Sequence, residues 1–320
     1  MTNIFDVAMV AGVSKSTVSR VFSGNGYVSV KTKSKVIKVA DQLDYYPSIL
    51  GRQLKRQRTK TIGLVAKSYY PEVGRILALT ANYAQENGFK LEVSFTRNRE
   101  DEIKVLQELK VHALDALFFI DNRNTWERIG FYAKYGPIVT SCRVNGHNIF
   151  SSYIDHYPLY FEILKYIKST YGNVSVGHIL NDPHENNTMA CVHAISDFRT
   201  YNPNCADWVT FFSEQINTGE QVGKKFLNLQ NPPDVIIVYS DYIAAGFISY
   251  LRKNNILVPE DVKVFGFNNN KWSKYMEIST IDSCLPIQVK NDVNKIISKL
   301  ENKKFVPLTI SPKMIVRKTC

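Results

Sequence analysis

Residues 3–25 read NIFDVAMVAGVSKSTVSRVFSGN and contain two short helical patterns separated by one glycine. In the first pattern, apolar residues recur at the i, i+3, i+4, i+7 spacing of one helix face. Gly12 ends this pattern, and the second begins after Ser14 and puts Val18 and Val21 on one side. Two helices joined by a tight turn that contains glycine form a helix-turn-helix motif.

The second helix is predicted to present a small, polar and basic face. The major groove of DNA accepts a helix with such side chains, although the corner of an ordinary helical bundle shows the same two patterns. The motif alone therefore leaves both interpretations open. The outward residues carry hydroxyls or positive charges and are Lys15, Ser16, Thr17, Ser19 and Arg20.

Positive charge is concentrated near the N-terminus. Residues 1–60 hold 11 Lys and Arg against three Asp, so +8 of the net charge of +11 lies there, and the other 260 residues are nearly balanced. This segregation predicts a polyanionic partner for the first region and a different role for the second. A third helical pattern begins at Ser29, and its outward lysines either contact phosphate or are simply solvated; they are Lys31, Lys33, Lys35 and Lys38.

The rest of the composition narrows the class of protein. The five cysteines are odd in number and widely spaced, with no C-x-x-C pair, which is typical of buried or free thiols in a reducing compartment. No stretch resembles a signal peptide, and no apolar run approaches roughly 18 residues. We therefore expect a cytoplasmic protein without a membrane partner, and not an exported binding protein.

The sixteen residues from Asp6 to Val21, DVAMVAGVSKSTVSRV, resemble the lactose-repressor/galactose-repressor (LacI/GalR) family of bacterial transcriptional regulators. The resemblance implies a helix-turn-helix DNA-binding domain at residues 1–47, a hinge helix or linker at 48–60, and an effector-binding and dimerisation domain at 61–320. It also implies a homodimer that contacts the two half-sites of a pseudo-palindromic operator.

The resemblance assigns residues to the DNA contact. Lys15, Ser16 and Arg20 match base-reading positions, and Arg20 is the strongest candidate because a guanidinium reads guanine O6 and N7 together. In the hinge, Leu54 matches a leucine that enters the minor groove and kinks the duplex. Gly51 stands where the family usually has Ala, which predicts a hinge helix that is harder to order. The full set of predicted DNA-contacting residues is Asn3, Ser14, Lys15, Ser16, Thr17, Ser19, Arg20, Asn25, Arg52 and Leu54.

From Thr61 the pattern changes to apolar strands that alternate with amphipathic helices. Strands are predicted at residues 61–66, 89–95, 116–120, 137–141, 174–180, 208–212, 234–239 and 262–267, and helices at 76–87, 100–109, 126–135, 157–170, 190–201, 220–229 and 242–254. Such alternation predicts parallel sheets covered on both faces. Two α/β halves with a cleft between them resemble the periplasmic-binding-protein-like effector domain of the same family, so the expected fold class is α/β behind an N-terminal three-helix domain.

The effector site is predicted by position. Asp241 has the alternative of capping a helix, and Trp272 is as readily explained by core packing as by stacking on a sugar. Asn268 stands where sugar-binding members often have Asp, and Cys191 lies near the place of a usual arginine, which argues against acidic or phosphorylated ligands. The candidate effector-binding residues are Ser68, Asp155, Ser240, Asp241, Asn268 and Trp272.

No sequence feature supports catalysis. The chain lacks G-x-G-x-x-G, G-x-x-x-x-G-K-[ST], G-x-S-x-G and H-E-x-x-H patterns, and its six histidines are scattered. We therefore expect no enzyme, no cofactor and no metal. The predicted function is a repressor of sugar-utilisation genes that is switched by a small molecule. The alternatives are a regulator that senses a protein partner or a non-sugar ligand and, disfavoured by the basic N-terminal region, a sugar-binding or sugar-modifying protein.

Overall fold

A computed structural model of the chain describes residues 2–24, 26–46, 58–203, 208–212 and 217–320. The chain divides into two compact units, Met1–Thr59 and Lys60–Cys320. The finer division at residues 47 and 60 stays a prediction, because residues 48–57 of the candidate hinge lie outside the described part of the chain.

The N-terminal unit contains the predicted helix-turn-helix. Its described helices are α1 (Ile4–Ala11), α2 (Lys15–Ser23) and α3 (Val30–Gln42). Gly12 ends α1 with a φ of 62°, a left-handed conformation that a residue without Cβ adopts readily. Ser14 begins α2, because its hydroxyl accepts a hydrogen bond from the amide of Thr17 at 3.1 Å. The buried side chains that hold the three helices together are Val7, Ala8, Ala11, Val18, Val21, Val36, Val39 and Ala40.

The C-terminal unit has two α/β lobes, as predicted. In the first lobe five parallel strands are ordered β2-β1-β3-β4-β5, and in the second lobe four parallel strands are ordered β7-β6-β8-β9. The strands are β1 (Thr61–Ala66), β2 (Lys90–Phe95), β3 (Ala116–Phe119), β4 (Ile138–Thr140), β5 (Phe150–Ser151), β6 (Val176–Leu180), β7 (Trp208–Phe211), β8 (Val235–Val238) and β9 (Lys263–Phe265).

The helices follow the predicted order, but several boundaries differ: the helix predicted at 190–201 begins at Asn186, and the one predicted at 126–135 continues after Gly130 as a 3-10 helix. The helix predicted at residues 76–87 begins five residues earlier at Pro71, because proline at the first helical position has a preset φ and needs no amide donor. The helices are α4 (Pro71–Glu86), α5 (Arg99–Lys110), α6 (Trp126–Gly130), α7 (His156–Tyr171), α8 (Asn186–Phe198), α9 (Thr218–Leu227), α10 (Asp241–Lys253), α11 (Lys271–Tyr275) and α12 (Leu285–Leu300), with a short 3-10 helix at Phe131–Lys134.

The last elements of the chain interleave the lobes. Strands β10 (Thr280–Asp282) and β11 (Lys313–Ile315) form an antiparallel pair, and between them in the chain lies a helix that was not predicted. This helix, α12, follows the second lobe in sequence but buries Leu285, Val289 and Val293 in the core of the first lobe. Within the described residues the chain therefore passes between the lobes three times, after β5, after β10 and after α12.

Candidate nucleic-acid interface and effector cleft

One face of α2 is open to solvent. Lys15, Ser16 and Arg20 are exposed, whereas Thr17 and Ser19 are partly buried against the helical bundle. Val18 and Val21 fill the opposite face and are buried. The first three side chains are therefore the ones that this unit presents outward from its second helix.

Two of the predicted DNA-contacting residues also have structural roles as helix caps. The Asn3 side chain accepts hydrogen bonds from the amides of Phe5 at 2.8 Å and Asp6 at 3.4 Å. The Ser14 hydroxyl lies 2.7 Å from that of Ser16 and caps α2. The oxygens of Asn3 and Ser14 thus hold helix ends, which satisfies amides that would otherwise lack partners.

The surroundings of α2 are basic and carry an exposed aromatic ring. The lysines of α3 that were predicted to point outward are all exposed, and Tyr27 is 92% exposed. Three predicted DNA contacts, Asn25, Arg52 and Leu54, lie outside the described residues and stay predictions.

A cavity of about 180 Å³ lies between the two lobes at the carboxyl ends of their strands. Ile120 and Ser141 reach it from the first lobe, and Leu180, Ser240 and Asn268 reach it from the second. Small-molecule pockets commonly span roughly 300–1,000 Å³, so this cavity lies below that range and suits only a small ligand.

One side of the cavity holds a charged contact between the lobes. Arg75 of α4 lies 3.3 Å from the Glu72 carboxylate and donates a hydrogen bond to the backbone oxygen of Asn268 at 3.1 Å. Burial raises the pKa of Glu72, which lines the cavity, while the Arg75 charge opposes that shift. Arg75 therefore neutralises a cavity carboxylate and links the first lobe to the second.

A second ion pair bridges the lobes. Lys67 lies 3.9 Å from Glu185, and its backbone amide donates to the Asp121 carboxylate at 2.6 Å. Burial raises the pKa of Asp121 to about 6 and also raises the pKa of Glu185, against the attraction of Lys67. The charged groups around the cavity are thus paired, with carboxylates nearest the wall.

Aromatic rings form part of the cavity wall. His156 stacks on Phe267 with ring centroids 4.9 Å apart and an interplanar angle of 13°. Burial lowers the pKa of His156 to about 4, so this imidazole is neutral at physiological pH. The stacked pair gives the wall a flat, uncharged surface.

Two polar atoms of the cavity wall are buried without a hydrogen-bond partner among the described residues. They are Asn187 Oδ1 and Ser283 Oγ, and Ser283 is only 3% exposed. A buried polar group that makes no hydrogen bond destabilises the native state by about 1–3 kcal/mol. Both atoms are available to pair with the polar groups of a ligand.

The structure places some predicted effector residues in the cavity wall. Ser240 and Asn268 line it, and so does Cys191, the residue near the place of the usual arginine. Cys191 is 4% exposed, and burial raises the pKa of its thiol. An uncharged side chain therefore occupies this part of the wall.

Asp241 is not part of the wall, which corrects the prediction of ligand contact. It is fully buried, and its carboxylate accepts hydrogen bonds from the Thr280 hydroxyl at 2.7 Å and the Asn270 amide at 2.9 Å. Nor does it cap α10, whose N-cap is Ser240. Asp241 instead ties the start of α10 to the loop after β9 and to β10.

Three more predicted effector residues lie outside the cavity wall. Asp155 caps α7 and pairs with Arg143 at 3.3 Å, and Ser68 is exposed. Trp272 packs edge-on against Tyr242 in a separate groove beside α9, α10 and α11. Polarity or aromaticity near a strand end predicted the neighbourhood of these residues but not the direction of their side chains.

Sequence reasoning missed several residues of the wall. Glu72 lies in the helical turn before residue 76, and Pro71 was the signal that would have extended the helix to include it. Asn187 and Ser283 lie in segments for which the sequence carried no recognised motif. Only the packing of one lobe against the other brings these three side chains to one cavity.

Among the described residues, no three His, Cys, Asp or Glu side chains come together in a group able to hold a metal ion. Among those same residues, every helix is too short or too polar to cross a bilayer.

Comparison with known proteins agrees with both units. Residues 3–48 match the model for bacterial regulatory proteins of the lacI family, and residues 196–320 match the periplasmic binding protein-like domain. The NTD biosynthesis operon regulator NtdR of Bacillus subtilis (strain 168) is 27% identical over the full length of both chains. Catabolite control protein B of the same strain is also 27% identical, over 88% of this chain and 90% of its own.

Solved structures share the fold. A lac repressor dimer bound to operator and the anti-inducer ONPF superposes with a TM-score of 0.84 at 20% identity, covering 99% of this chain and 98% of its own. The structure and the comparisons are consistent with each other. The chain has a helix-turn-helix unit with an exposed basic helix and two interleaved lobes, and the relatives match it over nearly their full length. The N-terminal unit thus matches the lacI family of bacterial regulatory proteins, and the whole chain is similar to the regulator NtdR.

Proposed function

We propose that this protein is a sequence-specific DNA-binding transcriptional repressor whose operator affinity is switched by a small molecule. The observation that carries the proposal is the exposed polar and basic face of α2 on a compact basic unit, joined to a second unit with a cavity of its own. In this proposal Arg20 and Lys15 read base edges in the major groove, while the α3 lysines contact phosphates. A chromosomal operator as partner implies a protein that works in the bacterial cytoplasm, and no catalytic step is needed.

The cavity supports an uncharged, polyhydroxylated effector such as a sugar. Its carboxylates Glu72 and Glu185 disfavour anions, and their partners Arg75 and Lys67 already balance their charge. The buried Ser283 hydroxyl offers a hydrogen-bonding position to a ligand hydroxyl, and the stacked ring of Phe267 lies in the same wall. The lack of an arginine at Cys191 removes a cation that would otherwise hold an acidic ligand.

A homodimer is part of the proposal. The lac repressor of similar fold was solved as a dimer on its operator. In this chain the edge strand β2 exposes Val93 and Phe95, and the second lobe exposes Trp272 and Tyr275. An exposed sheet edge and exposed aromatic side chains are typical of surfaces that a partner covers. Two copies would place two α2 helices on successive half-sites of a pseudo-palindrome.

The test is fluorescence anisotropy of the full-length protein on DNA from upstream of its own gene. Binding is measured across a salt series with excess competitor DNA, in the presence and absence of mono- and disaccharides. Sugar phosphates serve as matched anionic controls. We expect competitor-resistant binding with a steep salt dependence, and a shift in affinity with a neutral sugar but not with its phosphate.

The other outcomes separate the alternatives. Specific binding that no sugar shifts would favour an effector domain that senses a protein partner or a different ligand. Turnover of a sugar without specific DNA binding would favour the sugar-modifying class. If this DNA is not bound, selection from a random DNA library decides whether any operator exists.

A further inference from the structure

A surface contact joins the first two helices of the N-terminal unit. The Lys15 ammonium nitrogen lies 4.3 Å from the centre of the Phe5 ring. Lys15 is exposed at the start of α2, and Phe5 lies on α1 with 60% of its surface exposed. This distance is within the roughly 6 Å at which the face of an aromatic ring attracts a cation.

We propose that Phe5 is a specificity-determining residue that positions Lys15 to read a base edge. The proposal rests on the DNA-binding function proposed above and adds a residue of α1 to the determinants of base preference. Phe5 lies outside the second helix, so the reading surface consists of α2 together with a ring that α1 supplies.

The physical reason is the flexibility of lysine. Its four-carbon stem leaves the ammonium free to occupy many positions, whereas the guanidinium of Arg20 is planar and pre-organised. Holding the Lys15 ammonium over a ring removes part of that freedom before DNA binds. An ammonium carries three N–H donors, so donors remain for the acceptors of a base when one faces the ring. Guanine presents two such acceptors, O6 and N7, in the major groove.

Two simpler roles compete with this one. If Lys15 holds a phosphate instead, its loss weakens binding to all sequences equally and reduces the salt dependence. The other simple role for Phe5 is that of a scattered apolar surface residue, as Met9 and Val10 on the same helix are exposed as well. Neither role makes the base preference depend on the Phe5 ring.

The experiment compares base preferences of the full-length variants. Binding sites are selected from a random DNA library with the wild type, and affinities for the best site and its single-base substitutions are then measured by anisotropy. The variants are Lys15→Met, Phe5→Leu, Phe5→Tyr and the double variant Phe5→Leu/Lys15→Met. Val10→Ala is the control, an exposed apolar residue of α1 shortened in the same way. Thermal unfolding of each variant checks the fold.

We expect Lys15→Met to relax the preference at one position of each half-site. Phe5→Leu should relax the same position by about twofold to fivefold per half-site, the range for an exposed cation–π contact. Phe5→Tyr, which keeps a ring, should behave as the wild type. The double variant should be no worse than Lys15→Met alone, because the ring acts only through the lysine.

Three results would overturn the inference while leaving the DNA-binding function intact. These are an unchanged preference in Phe5→Leu, a change at a different position that adds to that of Lys15→Met, and a uniform loss in Lys15→Met with a smaller salt slope. If the wild type selects no sequence at all, both this inference and the proposed function fail.

Discussion

The surface of α2 and the cavity between the lobes are built in opposite ways. The α2 surface is convex and comes from one stretch of fewer than twenty residues, whose outward side chains are solvated. The cavity is concave and draws its wall from segments between Tyr70 and Gln288, whose charged groups are paired and shifted in pKa by burial. A change on α2 should therefore affect binding alone, whereas a change around the cavity should also affect stability and its pH dependence.

The largest expected effect tests whether an α2 side chain can change DNA binding without changing the stability of the fold. Arg20→Ala should weaken operator binding by about 1–3 kcal/mol per half-site, since a guanidinium that reads guanine is lost. The free energy of unfolding should hardly change, because Arg20 is exposed. Anisotropy and urea denaturation measure the two quantities. Lys38→Ala is the control. It should weaken binding to all DNA sequences alike and lower the slope of the salt dependence by about one. If Arg20→Ala loses affinity equally for operator and random DNA, Arg20 contacts phosphate and does not read a base.

The next effect tests whether the cavity is coupled to stability. Arg75→Met removes the partner of Glu72 and the hydrogen bond to Asn268, so the free energy of unfolding should fall by about 1–3 kcal/mol. Adding Glu72→Gln should restore part of the loss, since no uncompensated charge remains. Arg97→Met is the control, because Arg97 is 87% exposed in its pair with Asp101 and this surface pair should contribute little to stability. Equal losses in the two arginine variants would show that the contact between the lobes is no stronger than a surface pair.

The pH dependence of stability sharpens the same contrast. Burial raises the pKa of Asp241 to about 7, far above its value in an unfolded chain. Between about pH 4 and pH 7 the native carboxyl keeps its proton while the unfolded one has lost it, so stability falls as pH rises, by about 1.4 kcal/mol per pH unit for this group. Asp241→Asn should flatten the curve over that window, and Asp121→Asn should flatten it only to about pH 6. Urea unfolding at stepped pH values measures the slopes, and a slope unchanged by Asp241→Asn would contradict the assignment.

The smallest effect separates ligand binding from stability within the cavity. Ser283→Ala removes a buried hydroxyl without a partner among the described residues, so the free protein should be unchanged or slightly more stable, while affinity for the effector found in the sugar panel should fall by about 1 kcal/mol. Calorimetric titration measures the affinity for the effector, and thermal unfolding measures the stability. Ser279→Ala is the matched control, because the Ser279 hydroxyl accepts a hydrogen bond from the Arg317 amide at 2.8 Å. This control should lose stability and keep effector affinity. If Ser283→Ala instead loses stability and keeps its affinity for the effector, Ser283 does not contact the ligand.

The same contrast explains what the sequence could predict. Gly12, Ser14 and Val18 act within one or two helical turns, so local spacing was enough to identify the helix-turn-helix. The alternation of strands and helices likewise predicted the parallel sheets of both lobes. Asp241 was misplaced because a polar residue after a strand does not reveal whether its side chain turns toward the cavity or toward a neighbouring loop.

The residues that were missed share a cause. Ser283 and Asn187 are almost one hundred positions apart in sequence and meet only because the chain returns to the first lobe after β10. No local pattern carries that information. Glu72 differs, because Pro71 beside it was a readable helix start that would have placed the carboxylate in the first turn of α4.

The placement of α12 also sets the order in which the protein is completed on the ribosome. Leu285, Val289 and Val293 are buried in the core of the first lobe, although nearly the whole second lobe is synthesised before them. At roughly 5–20 residues per second, about 250 residues separate the end of α3 from the end of α12 by about 13–50 seconds. The N-terminal unit has its helices and its core long before the first lobe can close. Each nascent chain thus carries the complete helix-turn-helix well before α12 is available to complete the core of the first lobe.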